Sequence, residues 1–147
     1  NYLLAMKQRL GIKQDIIFLP IHGVGGGKEG KLKDKQLQIS KRLIELRKNN
    51  PILLVDGDGA GKSMKDVNVQ SELKVVMLSD IDEKFKTIES LFDPNDLNKF
   101  GMLGKNGNIK HASTSAKLKT FPEKYTPSEQ TLRNFKKFFD SLIAETE

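Results

Sequence analysis

The feature that most constrains this chain is an apolar run, Ile52–Val55, that stops at an acidic, glycine-rich turn. Four successive apolar residues without alternation are typical of a strand that is buried on both faces of a parallel sheet. The run is followed directly by Asp56, Gly57, Asp58 and Gly59. Ligands of open α/β sheets bind at the carboxyl ends of the strands, so the sequence predicts two carboxylates at a ligand-binding edge.

Asp56 and Asp58 are predicted to hold a divalent cation. The glycine between them allows a sharp turn of the backbone, so both carboxylates can point to the same place. Neighbouring carboxylates repel each other unless a cation lies between them, and a hard ion with oxygen ligands suits them best. The pattern therefore favours a magnesium site that acts on phosphates. The competing interpretation is a polar turn with solvated aspartates, since Asp and Gly are common turn residues.

The same stretch admits a nucleotide- or phosphate-binding interpretation, because the segment from Gly57 to Ser63 ends in Gly-Lys-Ser, as a P-loop does. The P-loop pattern requires its first glycine at the position that Asp56 occupies. An acidic side chain there would face the bound phosphates. We therefore place the P-loop interpretation behind the metal site.

A second glycine-rich stretch, residues 22–30, contains Gly25, Gly27 and Gly30 at the spacing of a dinucleotide-binding fingerprint. That fingerprint opens a helix at once and has an acidic residue about 20 positions further on. Here the next helix is predicted to begin only at Asp34. We therefore predict a flexible loop whose backbone can approach a ligand closely.

Composition is that of one domain without disulfides or membrane segments. The 147 residues suffice for a single domain with a core. The absence of cysteine excludes disulfides and cysteine zinc sites and favours a cytoplasmic setting. No apolar run is long enough to span a bilayer, so no membrane partner is expected. The net charge of +6 suits a polyanionic partner.

The predicted elements alternate between helix and strand, which favours a parallel sheet with right-handed crossovers. Because parallel strands end at the same edge, we expect the loop 22–30, the pair Asp56 and Asp58, and the pair Asp80 and Asp82 to gather there. Asp80 and Asp82 are candidate metal ligands, with an Asx turn as the alternative. The predicted elements are a helix at residues 2–10 that stops at Gly11, a strand at 16–21, a helix at 34–49, a strand at 52–55, a polar turn or short helix at 63–71 and a strand at 74–78.

The remainder of the chain is predicted to be mostly helical. Asp93 and Pro94 are an N-cap and a first-turn proline. A glycine-rich loop follows at residues 101–108, and Thr-Pro-Ser-Glu at residues 126–129 is a capping box that opens the last helix. An apolar stripe on that helix is predicted to be core: Leu132, Phe135, Phe138, Phe139, Leu142 and Ile143.

We predict an α/β fold in which a small parallel sheet is flanked by helices and followed by a helical C-terminal extension. One domain is expected over residues 1–147, with a sheet core at about 1–92 and a mostly helical part at about 93–147. Asn1 and Tyr2 already stand inside a predicted helix without a cap, so we expect the natural sequence to continue upstream.

The order of three segments resembles the Toprim domain of the OLD family (overcoming lysogenization defect) of ATP-dependent endonucleases. These segments are a predicted strand leading to Gly-Val-Gly-Gly at residues 23–26, a strand ending in Asp-Gly-Asp-x-x-Gly at 56–61, and Thr-Ile-Glu-x-Leu-Phe at 87–92. The resemblance covers the whole chain. It implies a Toprim-like sheet, and a magnesium- or manganese-dependent nuclease that cuts or nicks DNA.

The resemblance also assigns site residues. Asp56 and Asp58 match the metal-binding Asp-x-Asp of the family, and Glu89 matches a glutamate that would hold a second metal. Ser90 stands where the family usually has an aspartate. A lysine further along the chain would stabilise the transition state, and Lys110 or Lys117 would fill that place.

The family further implies partners and a context. An ABC-type ATPase domain would precede this domain in the same polypeptide, and the parent protein would form a homodimer that acts in phage defence. Toprim domains begin with a strand that ends in Glu-Gly-x-x-Asp, and no such pattern occurs here. We therefore expect this fragment to be inactive by itself.

The chemistry of the residues agrees with this assignment. Phosphodiester hydrolysis at a two-metal site requires carboxylates that hold ions about 4 Å apart, and a lysine can act on the transition state as a point charge. Basic residues beside the predicted edge can contact a DNA backbone without reading its sequence, although a solvated loop explains them equally well. They are Lys28, Lys31, Lys33, Lys35 and Lys62.

Other classes of protein remain open. A Toprim-like regulatory or interaction domain would keep the fold without the chemistry. Primase or topoisomerase chemistry is a further alternative, although Tyr2 and Tyr125 lie in no recognisable nucleophile site. Metal titration separates a nuclease from a regulatory domain, and ATP binding tests a nucleotide-binding module.

Overall fold

The computed structural model describes residues 2–16, 29–45, 51–70, 73–109 and 126–146, without the side chains of residues 29–33. The chain divides into two compact units: a sheet unit, Pro20–Ser90, and a helical unit made of Asn1–Leu19 and Leu91–Glu145. The elements are α1 (Tyr2–Arg9), α2 (Glu29–Glu45), β1 (Ile52–Val55), α3 (Gly59–Val67), β2 (Lys74–Met77), α4 (Leu78–Ile81), a 3-10 helix (Ile88–Leu91), α5 (Pro94–Lys99) and α6 (Glu129–Ala144).

The sheet unit is a mixed α/β structure around two parallel strands. β1 and β2 pair in register, with Leu53 opposite Val75 and Val55 opposite Met77. This confirms the predicted parallel pairing of the two apolar runs. Leu53 and Val55 are buried with Met64 of α3, whereas Ile52 and Leu54 are half-buried. Among the described residues β1 therefore has one fully buried face, and the prediction of burial on both faces was too strong.

Two helices of this unit begin earlier than predicted. α2 begins at Glu29 and not at Asp34, so Gly30 belongs to a helix. The lysine- and leucine-rich sequence that follows favours helix strongly enough to outweigh one glycine, which costs about 1 kcal/mol. α3 begins at Gly59 and not at Ser63, because Asp58 caps it.

Several predicted features lie outside the described residues. They include nearly all of the strand at 16–21, of which only Ile16 is described, and the loop residues 22–28. The objection to the dinucleotide fingerprint that rested on a late helix was wrong, since Gly30 lies in the first turn of α2. Its other two glycines, Gly25 and Gly27, are not among the described residues.

The first helix belongs to the helical unit. α1 is closed as predicted by Gly11, which follows the helix and has φ +67°. The N–H of Gly11 donates to the carbonyl of Gln8 at 3.0 Å and that of Ile12 to the carbonyl of Lys7 at 3.2 Å, a Schellman arrangement. Met6 is fully buried, and α1 packs against α6. The sequence had grouped this helix with the sheet core.

The core of the helical unit is aromatic, as the stripe on α6 predicted. Phe135, Phe138 and Phe139 are fully buried. The ring centroids of Phe92 and Phe135 lie 5.0 Å apart, edge to face. Such pairs contribute about 0.5–1.5 kcal/mol beyond the area that they bury.

The start of α6 corrects the predicted capping box. Its N-cap is Ser128 and not Thr126, and the hydroxyl of Ser128 accepts the N–H of Thr131 at 3.2 Å. The N–H of Ser128 instead donates to the carboxylate of Asp96 at 2.9 Å, which holds this residue outside the helix. The helix start at Asp93 and Pro94 is confirmed, with the carboxylate of Asp93 accepting the N–H of Asn95 at 2.8 Å.

The predicted glycine-rich loop at residues 101–108 is confirmed. Gly101 and Gly107 adopt positive φ, and Leu103 pairs with Ile109 in an antiparallel bridge. Within the part of the chain that the structure describes, no helix is long and apolar enough to cross a membrane.

Candidate functional site

Asp56 and Asp58 lie directly beyond the carboxyl end of β1, and both are exposed. The strand before them is anchored by the buried side chains of Leu53 and Val55. The helix after them begins at Gly59. The two carboxylates therefore stand on a short turn between two packed elements, at the edge where the sequence predicted them.

Asp58 has a defined local partner. Its Oδ1 accepts the N–H of Gly61 at 2.8 Å, which makes Asp58 the N-cap of α3. A negative charge at this end of a helix interacts favourably with the helix dipole. Oδ2 accepts no hydrogen bond from the described residues, and Asp58 as a whole is exposed.

The turn is closely packed at two glycines, where no side chain would fit. A Cβ on Gly61 would lie 2.0 Å from the carbonyl oxygen of Asp56, so α3 begins against the backbone of the turn. A Cβ on Gly57 would lie 2.8 Å from the Cβ of Ser79. The N–H of Gly57 donates to the carbonyl of Lys86 at 2.8 Å. The segment that follows β1 is therefore packed against the segments that follow β2.

The second aspartate pair lies in these neighbouring segments and has partners of its own. Oδ2 of Asp80 lies 2.6 Å from Nζ of Lys65 and accepts the N–H of Met77 at 3.3 Å. Oδ1 of Asp82 accepts the N–H of Lys84 at 3.0 Å, which is the geometry of an Asx turn. These contacts favour the turn interpretation of Asp82.

Glu89 lies in the 3-10 helix and is half-buried. Its neighbour Ser90 donates its hydroxyl to the carbonyl of Thr87 at 2.5 Å and accepts the N–H of the same residue at 3.3 Å. The hydroxyl of Ser90 thus serves the local turn. The side chain of Glu89 makes no hydrogen bond or ion pair with any described residue.

The turn after β1 carries two exposed carboxylates, those of Asp56 and Asp58. Among the described residues no three His, Asp or Glu side chains lie close enough together to hold a metal. Mg²⁺ commonly keeps several waters and takes only one or two protein carboxylates. Asp56 and Asp58 supply two carboxylates on one turn. The described residues do not assemble a second set of ligands from Glu89, Asp80 and Asp82.

The predicted basic residues are only partly described. Lys62 is exposed on the first turns of α3, and Lys35 is exposed on α2. Lys31 and Lys33 belong to α2, but their side chains are not described. Outside the described residues lie Lys28, Lys110 and Lys117.

Sequence reasoning missed a polar cluster behind the turn, buried except for the half-buried Ser63. We call it the α2–α3 cluster: Gln36, Ser40, Ser63 and Asn68. Gln36 is fully buried and bonds to α3 through both ends of its amide. The signal in the sequence was weak but present. Gln36 and Ser40 stand four apart on the face of α2 that carries Ile39 and Leu43, so two polar residues share its buried side.

Comparison with known proteins adds no assignment. No family model, no curated protein and no solved structure matches this chain.

Proposed function

We propose that the turn of Asp56, Gly57 and Asp58 binds one hydrated Mg²⁺ or Mn²⁺ and that this site serves phosphodiester hydrolysis. The observation that carries the proposal is the placement of two exposed carboxylates at the carboxyl end of a parallel strand, one of them anchored by the N–H of Gly61. Ligand binding at this edge is general among α/β sheets. The anchored carboxylate requires little rearrangement on binding, which favours affinity.

The residues of the turn would have distinct tasks. Asp58, with Oδ1 engaged by α3, would present its other oxygen in a fixed direction. Asp56 would supply the second ligand. A bound divalent ion activates water and neutralises charge that develops on a phosphate. Lys62, exposed on α3, would attract the nucleic-acid backbone as a point charge.

The Toprim assignment extends this proposal. It makes DNA the substrate, Glu89 a ligand for a second ion, and Lys110 or Lys117 the cation that stabilises the transition state. An ABC-type ATPase domain in the same polypeptide would gate the reaction. These elements derive from the resemblance of the sequence to the OLD family.

The geometry is less favourable to a phosphate-binding loop at Gly57 to Ser63. The carboxylate of Asp58 occupies the N–H of Gly61, which a phosphate would otherwise take. A phosphate at the start of α3 would therefore meet a negative charge. ATP binding that survives Asp58→Asn but is lost in Lys62→Ala would favour this alternative.

Manganese binding measured by calorimetry tests the metal site. We expect the wild type to bind Mn²⁺ and the double variant Asp56→Asn, Asp58→Asn to lose binding, while circular dichroism stays unchanged. Asparagine is also a good N-cap, so it removes charge and keeps the cap. The matched control is Asp66→Asn, the same change at an exposed position of α3 away from the turn. Equal binding by the double variant and the wild type would refute the proposal.

Nicking of supercoiled plasmid separates the nuclease from a silent regulatory domain. The natural protein with its neighbouring domains should nick plasmid in Mn²⁺ and lose the activity in Asp56→Asn. Metal binding without any nicking would favour the regulatory alternative. Nicking that persists in Asp56→Asn would place the chemistry elsewhere.

A further inference from the structure

We infer that Gln36 is a positioning residue that fixes the start of α3, and with it the carboxylate of Asp58, through hydrogen bonds from α2. Its chemical consequence rests on the metal site proposed above, while its structural part stands independently. The inference depends on contacts between residues that are far apart in the sequence but meet behind the turn.

The amide of Gln36 bridges two points of the first turns of α3. Nε2 donates to the carbonyl of Ala60 at 3.1 Å, and Oε1 accepts the hydroxyl of Ser63 at 2.8 Å. A carbonyl oxygen can only accept, so the orientation of the amide is determined by Ala60. Both donor and acceptor are thus used on the same short stretch of helix.

Ala60 lies between the residues that form the cap. The N–H that Asp58 accepts belongs to Gly61, the next residue along the chain. A movement of Ala60 would therefore carry the N–H of Gly61 with it. The bond from Gln36 restrains the same turn that aims the carboxylate of Asp58.

The burial of Gln36 makes this restraint strong. The residue is fully buried, and a buried hydrogen bond is electrostatically stronger than one in water. Loss of one partner leaves a desolvated polar group, so alternative positions of α3 are disfavoured. Groups that hydrogen-bond metal ligands typically change metal affinity about 10–100-fold when they are removed. Gln36 acts one step further out, through the peptide group of Ala60 and Gly61 whose N–H the carboxylate of Asp58 accepts.

Ser40 and Asn68 form a second part of the same cluster, which provides a control. The hydroxyl of Ser40 donates to the carbonyl of Gln36 at 2.8 Å and accepts from Nδ2 of Asn68 at 2.9 Å. The same amide group donates to the carbonyl of Met64 at 2.9 Å. These bonds join α2 to the far end of α3 and do not touch its first turn. Ser40→Ala therefore removes buried hydrogen bonds without releasing Ala60.

The first test is amide hydrogen exchange at Gly61. In Gln36→Met, the exchange of Gly61 should accelerate about tenfold or more relative to the amides of β1 and β2, because its cap is no longer aligned. Ser40→Ala should leave that ratio within about twofold. Ser63→Ala, at a half-buried position, removes only one of the two hydrogen bonds of the Gln36 amide. It should give an exchange rate between those of the wild type and Gln36→Met. This variant still tests the inference if Gln36→Met fails to fold.

The second test is manganese affinity of the same variants. Gln36→Met should weaken binding about tenfold or more while Ser40→Ala binds as the wild type does. The inference would be overturned if the exchange rate of Gly61, relative to the amides of β1 and β2, stayed unchanged in Gln36→Met and Ser63→Ala. It would also be overturned if Ser40→Ala raised this relative rate as much as Gln36→Met does. A wild type that binds no Mn²⁺ would refute the metal site alone, since the exchange measurement still decides the role of Gln36.

Discussion

Gly57 and Ser79 approach each other so closely across the ends of β1 and β2 that a Cβ on the glycine would lie 2.8 Å from the serine Cβ and 2.9 Å from its Oγ. The third close atom is the carbonyl oxygen of Phe85, at 3.0 Å. The missing side chain thus allows the turn after β1 to lie against two other segments. Asp56 and Asp58 stand on either side of this glycine in the chain.

Gly57→Ala should lower the free energy of unfolding by about 1–3 kcal/mol, because the added methyl group has no room. Ser79→Gly removes two of the three close atoms, so the double variant should recover part of the loss. Urea denaturation of the wild type, both single variants and the double variant forms a double-mutant cycle. Strictly additive effects would contradict the proposed contact.

Gly61→Ala should cost more, above about 3 kcal/mol, because the atom that blocks a Cβ is the backbone carbonyl of Asp56 at 2.0 Å. A backbone oxygen cannot rotate away as a side chain can. Gly59→Ala is the matched control in the same helix, since no atom lies within 4 Å of a Cβ there. Alanine favours helix over glycine by about 1 kcal/mol, so the control should be neutral or stabilising in thermal unfolding. Similar losses in both variants would argue against this packing.

Asp58→Ala and Asp58→Asn separate the cap from the charge. The alanine variant loses the acceptor for the N–H of Gly61 and should be about 1 kcal/mol less stable, whereas asparagine should stay within a few tenths of a kcal/mol. Denaturant unfolding measures both values. An asparagine variant as unstable as the alanine variant would show that charge, and not the hydrogen bond, maintains the turn.

Thr131→Val should destabilise the helical unit by about 1–3 kcal/mol. Its hydroxyl is buried, donates to the carboxylate of Asp96 at 2.6 Å and accepts the N–H of Asp93 at 2.8 Å. Valine keeps the shape but leaves these groups without that partner. The control is Gln130→Ala at the neighbouring exposed position, which should change stability by less than about 0.5 kcal/mol. Equal effects in thermal unfolding would contradict a role for the buried hydroxyl.

Local signals predicted much of the fold. The stripe that includes Phe135 and Phe139 predicted the buried face of α6, because a helix repeats its faces with a fixed period. Gly11 and Asp93 predicted a helix end and a helix start, since each acts on backbone groups a few residues away. The position of the carboxylates at the end of β1 was also predictable from local signals, because a strand end and its turn are adjacent in sequence.

The start of α3 was within reach of the sequence but was overlooked. Ala60, Met64 and Val67 follow a helical spacing directly after Asp58, a good N-cap residue. The glycines around Asp58 favoured the prediction of a loop in this segment. One of them, Gly61, lies inside the helix for a different reason, namely its contact with the carbonyl of Asp56.

The sequence by itself determined the elements whose causes are short-range: the apolar strands, the caps and the carboxylates of the turn. Only the tertiary structure decided that α1 packs with α6, that Gly57 lies against Ser79, and that Gln36 reaches the first turns of α3. Such contacts depend on the relative placement of whole elements, which side-chain type and spacing along the chain do not specify. A buried glutamine and an exposed one look alike in a sequence, because burial is a property of the packed chain.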